Sequence, residues 1–174
     1  SSDLALEQAV AGGNQDANVV ESLYFAWIHQ GEYAKARERF EAWSVANANS
    51  GAIHLAAARV NRIQGRFPEA LNHLEKILNY ADVGVAAQYE KAQILEETGK
   101  RADARVLYEK LIQNFTNGVL RTPSSLMFVA GAMRALEYFQ DANDVLKLAT
   151  QADAQNTEAF RSEEHTSELQ SRGL

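Results

Sequence analysis

The chain has no cysteine and only two prolines among its 174 residues. The first absence excludes a disulfide framework, a thiolate zinc site and a thiol nucleophile. The second leaves the sequence free to form long helices, and makes the places where proline does occur informative. No apolar run approaches the roughly 20 residues of a membrane-crossing helix, and no basic segment followed by an apolar one opens the chain. A surplus of positive charge is also missing. Seventeen Lys and Arg stand against 23 Asp and Glu, a formal net charge of -6, which argues against nucleic acid or an anionic lipid surface as the main partner. What is present, 46% hydrophobic and 23% charged residues, is the balance of a chain that folds around a core.

Side chains that do chemistry are sparse as well. The four histidines, His29, His54, His73 and His165, include no pair at the i, i+4 spacing of a helical zinc site, and H-E-x-x-H does not occur. Gly12-Gly13 is a glycine doublet without the following Lys-Ser/Thr of a phosphate-cradling loop. Glu96-Glu97 and Glu163-Glu164 read as solvated helix faces rather than acid-base pairs. Asn114-Phe115-Thr116 fits a glycosylation sequon, which has meaning only in a secreted eukaryotic protein. These observations assign no catalytic residue, no metal ligand and no cofactor, and lead us to expect a protein that is not an enzyme within these residues.

The chain does hold a period. Gly31-Glu32-Tyr33-Ala34-Lys35-Ala36, Gly65-Arg66-Phe67-Pro68-Glu69-Ala70 and Gly99-Lys100-Arg101-Ala102-Asp103-Ala104 follow one another at intervals of 34 residues. Beyond each second Ala come large side chains, Phe40, Leu74 and Tyr108, then Trp43, Ile77 and Leu111. A fourth copy, Phe139, Ala142, Leu146 and Ala149, is displaced by 38 residues, so four extra residues lie between Asn117 and Thr122. Gly suits the left-handed residue that ends a helix. The small residues Ala36, Ala70, Ala104 and Ala142, and Ala58, Ala92 and Ala130, let paired helices approach closely; Tyr24 breaks that rule in the first unit. Pro68 and Pro123 fall where helices begin, and there the missing N–H costs nothing. Asp16, Ser50, Asp82 and Thr122 are expected as N-caps. The fourth unit carries Glu137 where the others carry Gly, so its turn is expected to be the least regular.

This pattern resembles the tetratricopeptide repeat, a 34-residue helical hairpin with Gly at its turn and an A-x3-F pattern in its second helix. The Trp expected at the fourth position of each unit is replaced by Val20, His54, Gln88 and Leu126, and His54 is expected to be a packed structural histidine. The resemblance implies an all-α, right-handed superhelical solenoid of antiparallel helix pairs, stabilised by stacking of neighbours. Units are expected at residues 17–50, 51–84, 85–118 and 123–156, with an insertion at 119–122. Residues 1–16 read as the second helix of a preceding partial repeat and 157–160 as the start of a fifth. With no initiator Met and no polar cap at either end, the chain reads as a fragment of a longer, bacterial-type array. Its compartment, cytoplasm or cell envelope, stays open. Residues 161–174 break the pattern, and the run from Arg161 to Ser171 resembles the in-frame translation of a short-read sequencing adapter, hence a non-native tail.

Members of that family hold partners on the concave face, lined by the second, fifth, ninth and twelfth positions of each first helix. Carried onto this chain, the stripe runs through Asn18, Glu21, Phe25 and Ile28, then Ala52, Leu55, Arg59 and Arg62. It continues through Ala86, Tyr89, Gln93 and Glu96, then Ser124, Met127, Gly131 and Arg134. An apolar middle (Phe25, Leu55, Tyr89, Met127) flanked by Arg59, Arg62 and Arg134 suits a peptide or protein segment with apolar anchors and a carboxylate. Phe25, Ile28 and Leu55 could equally pack against neighbouring helices. The clamp that grips a heat-shock protein's terminal carboxylate does not fit, because its basic and amide positions hold Glu21, Phe25, Ala56, Ala86 and Glu90. The leading expectation is a non-catalytic protein-binding scaffold with neither nucleic acid nor membrane insertion, its other partners being the neighbouring repeats of the full-length chain. Two rivals remain open. The array could belong to a larger enzyme with a zinc-peptidase-like domain downstream, which the stretch from Leu136 to Asp153 loosely resembles, or it could serve only to oligomerise.

Overall fold

The computed structural model describes the backbone of residues 2–171 and the side chains of residues 2–155. Among the described residues every regular element is an α-helix: α1 (Ser2–Ala11), α2 (Ala17–His29), α3 (Tyr33–Ala46), α4 (Gly51–Ile63), α5 (Phe67–Glu75), α6 (Gly84–Glu97), α7 (Arg101–Thr116), α8 (Pro123–Ala135) and α9 (Phe139–Ser171). The chain divides into two compact units, Ser1–Ala104 and Arg105–Leu174.

In the first unit the turns follow one rule. After α2, Gly31 N–H donates to Ile28 O at 3.1 Å and Glu32 N–H reaches back to Trp27 O at 2.9 Å. The pairs Gly65–Arg62 with Arg66–Asn61, and Gly99–Glu96 with Lys100–Leu95, repeat that arrangement. This is the Schellman closure, and it needs a left-handed residue; Gly31, Gly65 and Gly99 have φ of 73°, 71° and 81°. Short connections then fold α3 back on α2 and α5 back on α4.

The helix starts are capped from the side chain where the sequence offers an acceptor. Asp16 accepts from Asn18 N–H and Val19 N–H, and Ser50 from Ile53 N–H. Asp82 does not act as a cap, contrary to expectation: Val83 occupies that position and makes no side-chain cap bond. The cause lies upstream. Helix α5 stops at Glu75, and the chain passes through successive turns before Gly84 N–H donates to Tyr80 O at 2.8 Å. Val83, 5% exposed, is inserted in the core there, and a Cβ on Gly84 would lie 2.7 Å from Leu78 O. Hydrophobic insertion and close backbone contact, rather than a carboxylate cap, set the start of α6.

The alanines sit where the helices touch. Ala36, Ala58, Ala70 and Ala92 are at most 1% exposed. Helix α4 packs against α2, α3, α5 and α6, and its buried side chains, Ile53, Ala57 and Val60 among them, join Val20, Leu23, Trp27 and Phe40 in one core. Trp27, Phe40 and Trp43 form an aromatic triangle with ring centroids 5.6–6.0 Å apart. Tyr24, too large for the alanine slot, is nonetheless 7% exposed, its ring meeting Phe25 edge-on at 5.1 Å.

In the second unit α8 packs against α9, with Val129, Ala130, Ala132 and Ala142 fully buried. Residues 117–122 form the connection into α8. Gly118 has φ 80° and repeats the Schellman closure, and Thr122 Oγ1 accepts from Ser125 N–H to start the helix ahead of Pro123. The turn at Glu137 corrects the expectation of irregularity. Glu137 takes φ 66°, and its N–H bonds to Arg134 O at 3.0 Å while Tyr138 N–H reaches Met133 O at 2.8 Å. The backbone closure demands a left-handed residue and imposes it on a glutamate. The backbone of 157–171 continues α9; the side chains from 156 onward, and all of residues 172–174, so most of what would distinguish a fifth repeat or an adapter-derived tail, lie outside the described residues.

Candidate protein-binding site

Helix α4 lies in contact with both α2 and α6, and the three line a cleft of about 420 Å³ whose walls are Tyr24, Phe25, Arg59, Arg62, Ile63, Glu90 and Glu97. The helical spacing explains the set. Arg59, Arg62 and Ile63 fall on one face of α4 at i, i+3 and i+4, and Glu90 and Glu97 on one face of α6 at i, i+7.

The polar half of the cleft is a lattice. Arg59 Nε donates to Glu90 Oε1 at 2.9 Å and its Nη1 to Glu21 Oε1 at 3.3 Å. Arg62 Nη1 donates to Glu90 Oε2 at 2.8 Å and to Gln93 Oε1 at 2.7 Å, while its Nε and Nη2 both engage Glu97 Oε1. Glu90 thus divides its two oxygens between two guanidinium groups at 9% side-chain exposure. Burial opposes the charge on Arg62, but the hydrogen bond and charge of Glu97 and the charge of Glu90 outweigh it and raise its pKa above the usual arginine value. Tyr24 is also raised, first by burial, with Arg59 pulling the other way; the Arg59 guanidinium stands 5.8 Å from that ring's centre.

The apolar half is open. Phe25 is 46% and Ile63 48% exposed, and Phe25 stacks on His29 at 6.3 Å. Both side chains present carbon to solvent beside a fixed lattice of charge.

Several residues named from the sequence meet here and others do not. Glu21, Phe25, Arg59, Arg62 and Gln93 converge. Tyr89 is half-buried and accepts from Gln93 Nε2 at 3.3 Å. Glu96 is exposed, and Asn18 is exposed at the start of α2 with its N–H on Asp16. Leu55, at 8% exposure, is buried, the packed alternative that the sequence left open beside the groove. Arg59 and Arg62 depart from expectation, being engaged by carboxylates rather than standing as free flanks for an incoming one. Met127, 55% exposed, and Arg134, also exposed, lie on α8 in the second unit. That unit has its own cleft of about 540 Å³, lined by Phe115, Arg121, Leu126, Leu148, Gln151, Ala152 and Gln155. There the Arg121 guanidinium covers the Phe115 ring at 4.7 Å.

Tyr24, Ile63, Glu90 and Glu97 are lining residues that sequence reasoning missed. A signal existed: Glu90 follows Arg59 by 31 residues and Glu97 follows Arg62 by 35, close to one repeat, so opposite charges one period apart were candidates for pairing across neighbouring first helices.

Among the described residues no group of three or more His, Asp and Glu could hold a metal ion, and no helix is long and apolar enough to cross a membrane. Neither a known family's sequence profile nor a curated protein sequence matches the chain. Solved structures do match. A protein described as a kinesin light chain of Podosopora anserina, with nearly identical TPR-like repeats, superposes with a TM-score of 0.55 at 20% identity over 90% of this chain and 87% of its own. A second structure of those repeats gives 0.53 at 21% identity over 88% and 86%, and MamA gives 0.51 at 15% identity over 90% and 89%.

The chain has a tetratricopeptide-like repeat fold. The all-α array of antiparallel helix pairs implied by the resemblance is therefore the architecture found, and helical hairpins closed by left-handed turns are its building blocks.

Proposed function

We propose that this tetratricopeptide-like array is a non-catalytic interaction scaffold, and that the face formed by α2, α4 and α6 receives an extended segment of another protein. The supporting observation is the cleft itself: two half-exposed apolar side chains, Phe25 and Ile63, beside a lattice of six polar side chains already fixed by one another. A preformed site loses little entropy when a ligand arrives, and apolar anchors with a few placed polar groups are what binding clefts generally offer. We read residues 17–50, 51–84, 85–118 and 123–156 as the repeat units, with 119–122 inserted, since a first helix opens at or next to the start of each.

Selection of a displayed random heptapeptide library on the immobilised protein tests this reading. Peptides recovered from it are expected to lose binding to Phe25→Asp and to keep it with Val45→Asp, which alters an 82% exposed residue that does not line the cleft. Retention by Phe25→Asp would refute the assignment.

A further inference from the structure

The scaffold reading leaves the chemistry of the ligand unspecified, and the sequence alone favoured a carboxylate opposite Arg59 and Arg62. The lattice reverses that preference. Around the cleft two guanidinium groups face three carboxylates, those of Glu21, Glu90 and Glu97. Arg62 directs Nε, Nη1 and Nη2 to acceptors within the protein, and Arg59 directs Nε and Nη1 likewise. An incoming carboxylate would have to displace a carboxylate that is already close and well placed.

Acceptor capacity, by contrast, remains. Glu21 and Glu97 are the outer members of the lattice, with side chains 50% and 41% exposed. Each meets arginine through Oε1, and a carboxylate has about four acceptor sites. Beside them the exposed Phe25 ring offers a π-face of the kind that already takes the Arg59 guanidinium at Tyr24. Charge and ring chemistry favour the same occupant.

Resting on the scaffold reading, we propose that the α2–α4–α6 cleft recognises a protein segment carrying a lysine or arginine next to an aromatic or branched aliphatic side chain. The cation lies between Glu21 and Glu97 near Phe25, and the apolar neighbour covers Phe25 and Ile63. The two glutamates attract without being consumed, because their existing bonds leave room for a second donor. Binding of this kind weakens with added salt, since both carboxylates are partly solvated.

The same library selection, followed by resynthesis of the best binder, tests it. The recovered peptides are expected to pair a basic residue with an apolar one. Replacing that basic residue by Ala is expected to weaken binding about fivefold, as for a partly solvated ion pair, and the combined Glu21→Gln, Glu97→Gln variant is expected to bind both peptides alike. Peptides that depend on Phe25 but are neutral or acidic would overturn the basic-segment proposal and leave the scaffold reading standing. Peptides indifferent to Phe25→Asp, or none recovered, would overturn both. Far-UV circular dichroism of the double variant shows whether the array is still folded; if it is not, Glu97→Gln alone carries the comparison.

Discussion

His54 and His73 meet Nδ1 to Nδ1 at 2.9 Å in the interior of the first unit. His54 Nε2 faces Ala48 O at 2.9 Å, and a carbonyl only accepts, so that nitrogen bears the proton and Nδ1 accepts. His73 Nε2 in turn lies 3.1 Å from both carboxylate oxygens of Glu41. Asn61 Nδ2 also donates to Glu41. The chain of contacts ties α3 to α4 and α5 across two hairpins.

Acidification should therefore loosen the array in two stages. Burial holds His54 below the ordinary histidine value of 6.5; the Ala48 hydrogen bond opposes this, and the charges of His73 and Lys76 add to it. A depressed histidine means the unfolded chain takes up the proton first, so the stabilisation is complete above pH 6.5 and is lost as pH falls toward the folded value. Glu41 lies below 4.5 although burial pushes it up, because hydrogen bonds from Asn61 and His73, and the charges of His73 and Arg66, outweigh that burial. Its contribution is present above 4.5 and lost as pH falls further. Urea midpoints measured from pH 7.5 to 4 should decline for the parent protein, and His54→Gln should flatten the upper stage. Parallel profiles would dismiss the arrangement.

Substitution of the wholly buried Ala70 by Leu should destabilise the first unit by about 1–3 kcal/mol through overpacking between α4 and α5. Thermal melting by circular dichroism measures it, with Val45→Leu at an exposed site as the reference. Equal melting temperatures would show that the alanine contact has slack.

Two turn substitutions should act in opposite directions. Glu137→Gly relieves a left-handed side chain and should stabilise by about 1 kcal/mol, whereas Gly65→Ala introduces the same strain, at φ 71° with no steric neighbour, and should cost about as much. Chemical denaturation of both variants checks the pair. A loss of stability in Glu137→Gly would mean that the glutamate side chain contributes more than its backbone costs.

Replacing Glu90 by Gln should leave Arg59 and Arg62 short of their common counter-charge. Their side chains are 12% and 23% exposed, so the cost should fall below that of a fully buried pair, at about 1–3 kcal/mol. Urea denaturation of Glu90→Gln reads it, and an unchanged midpoint would show that water replaces the carboxylate.

The architecture was legible because its requirements fall on single residues. A left-handed turn calls for Gly31, Gly65 and Gly99, and helix contact calls for Ala36 and Ala70, so spacing alone revealed the period. Glu137 misled because the hydrogen bonds of the closure, not the residue type, hold that turn. Asp82 misled because a cap can be supplanted when a neighbour such as Val83 is drawn into the core. The cleft was half legible. Helical positions put Phe25, Arg59 and Arg62 on the face that lines the cleft, but on α6 the residues bonded to arginine include Glu90 and Glu97, each one position beyond the expected Tyr89 and Glu96. That small rotation decides which charges meet, and a pattern within a single helix does not carry it.

The aromatic triangle of the first hairpin has a practical consequence. Both tryptophans of the chain, Trp27 and Trp43, stand in it with their centroids 6.0 Å apart. Indole emission therefore times the opening of α2 and α3 alone, while far-UV ellipticity follows every helix. In an array whose members are stabilised by their neighbours, the gap between those two melting curves is a direct gauge of how far one end can come undone before the rest lets go.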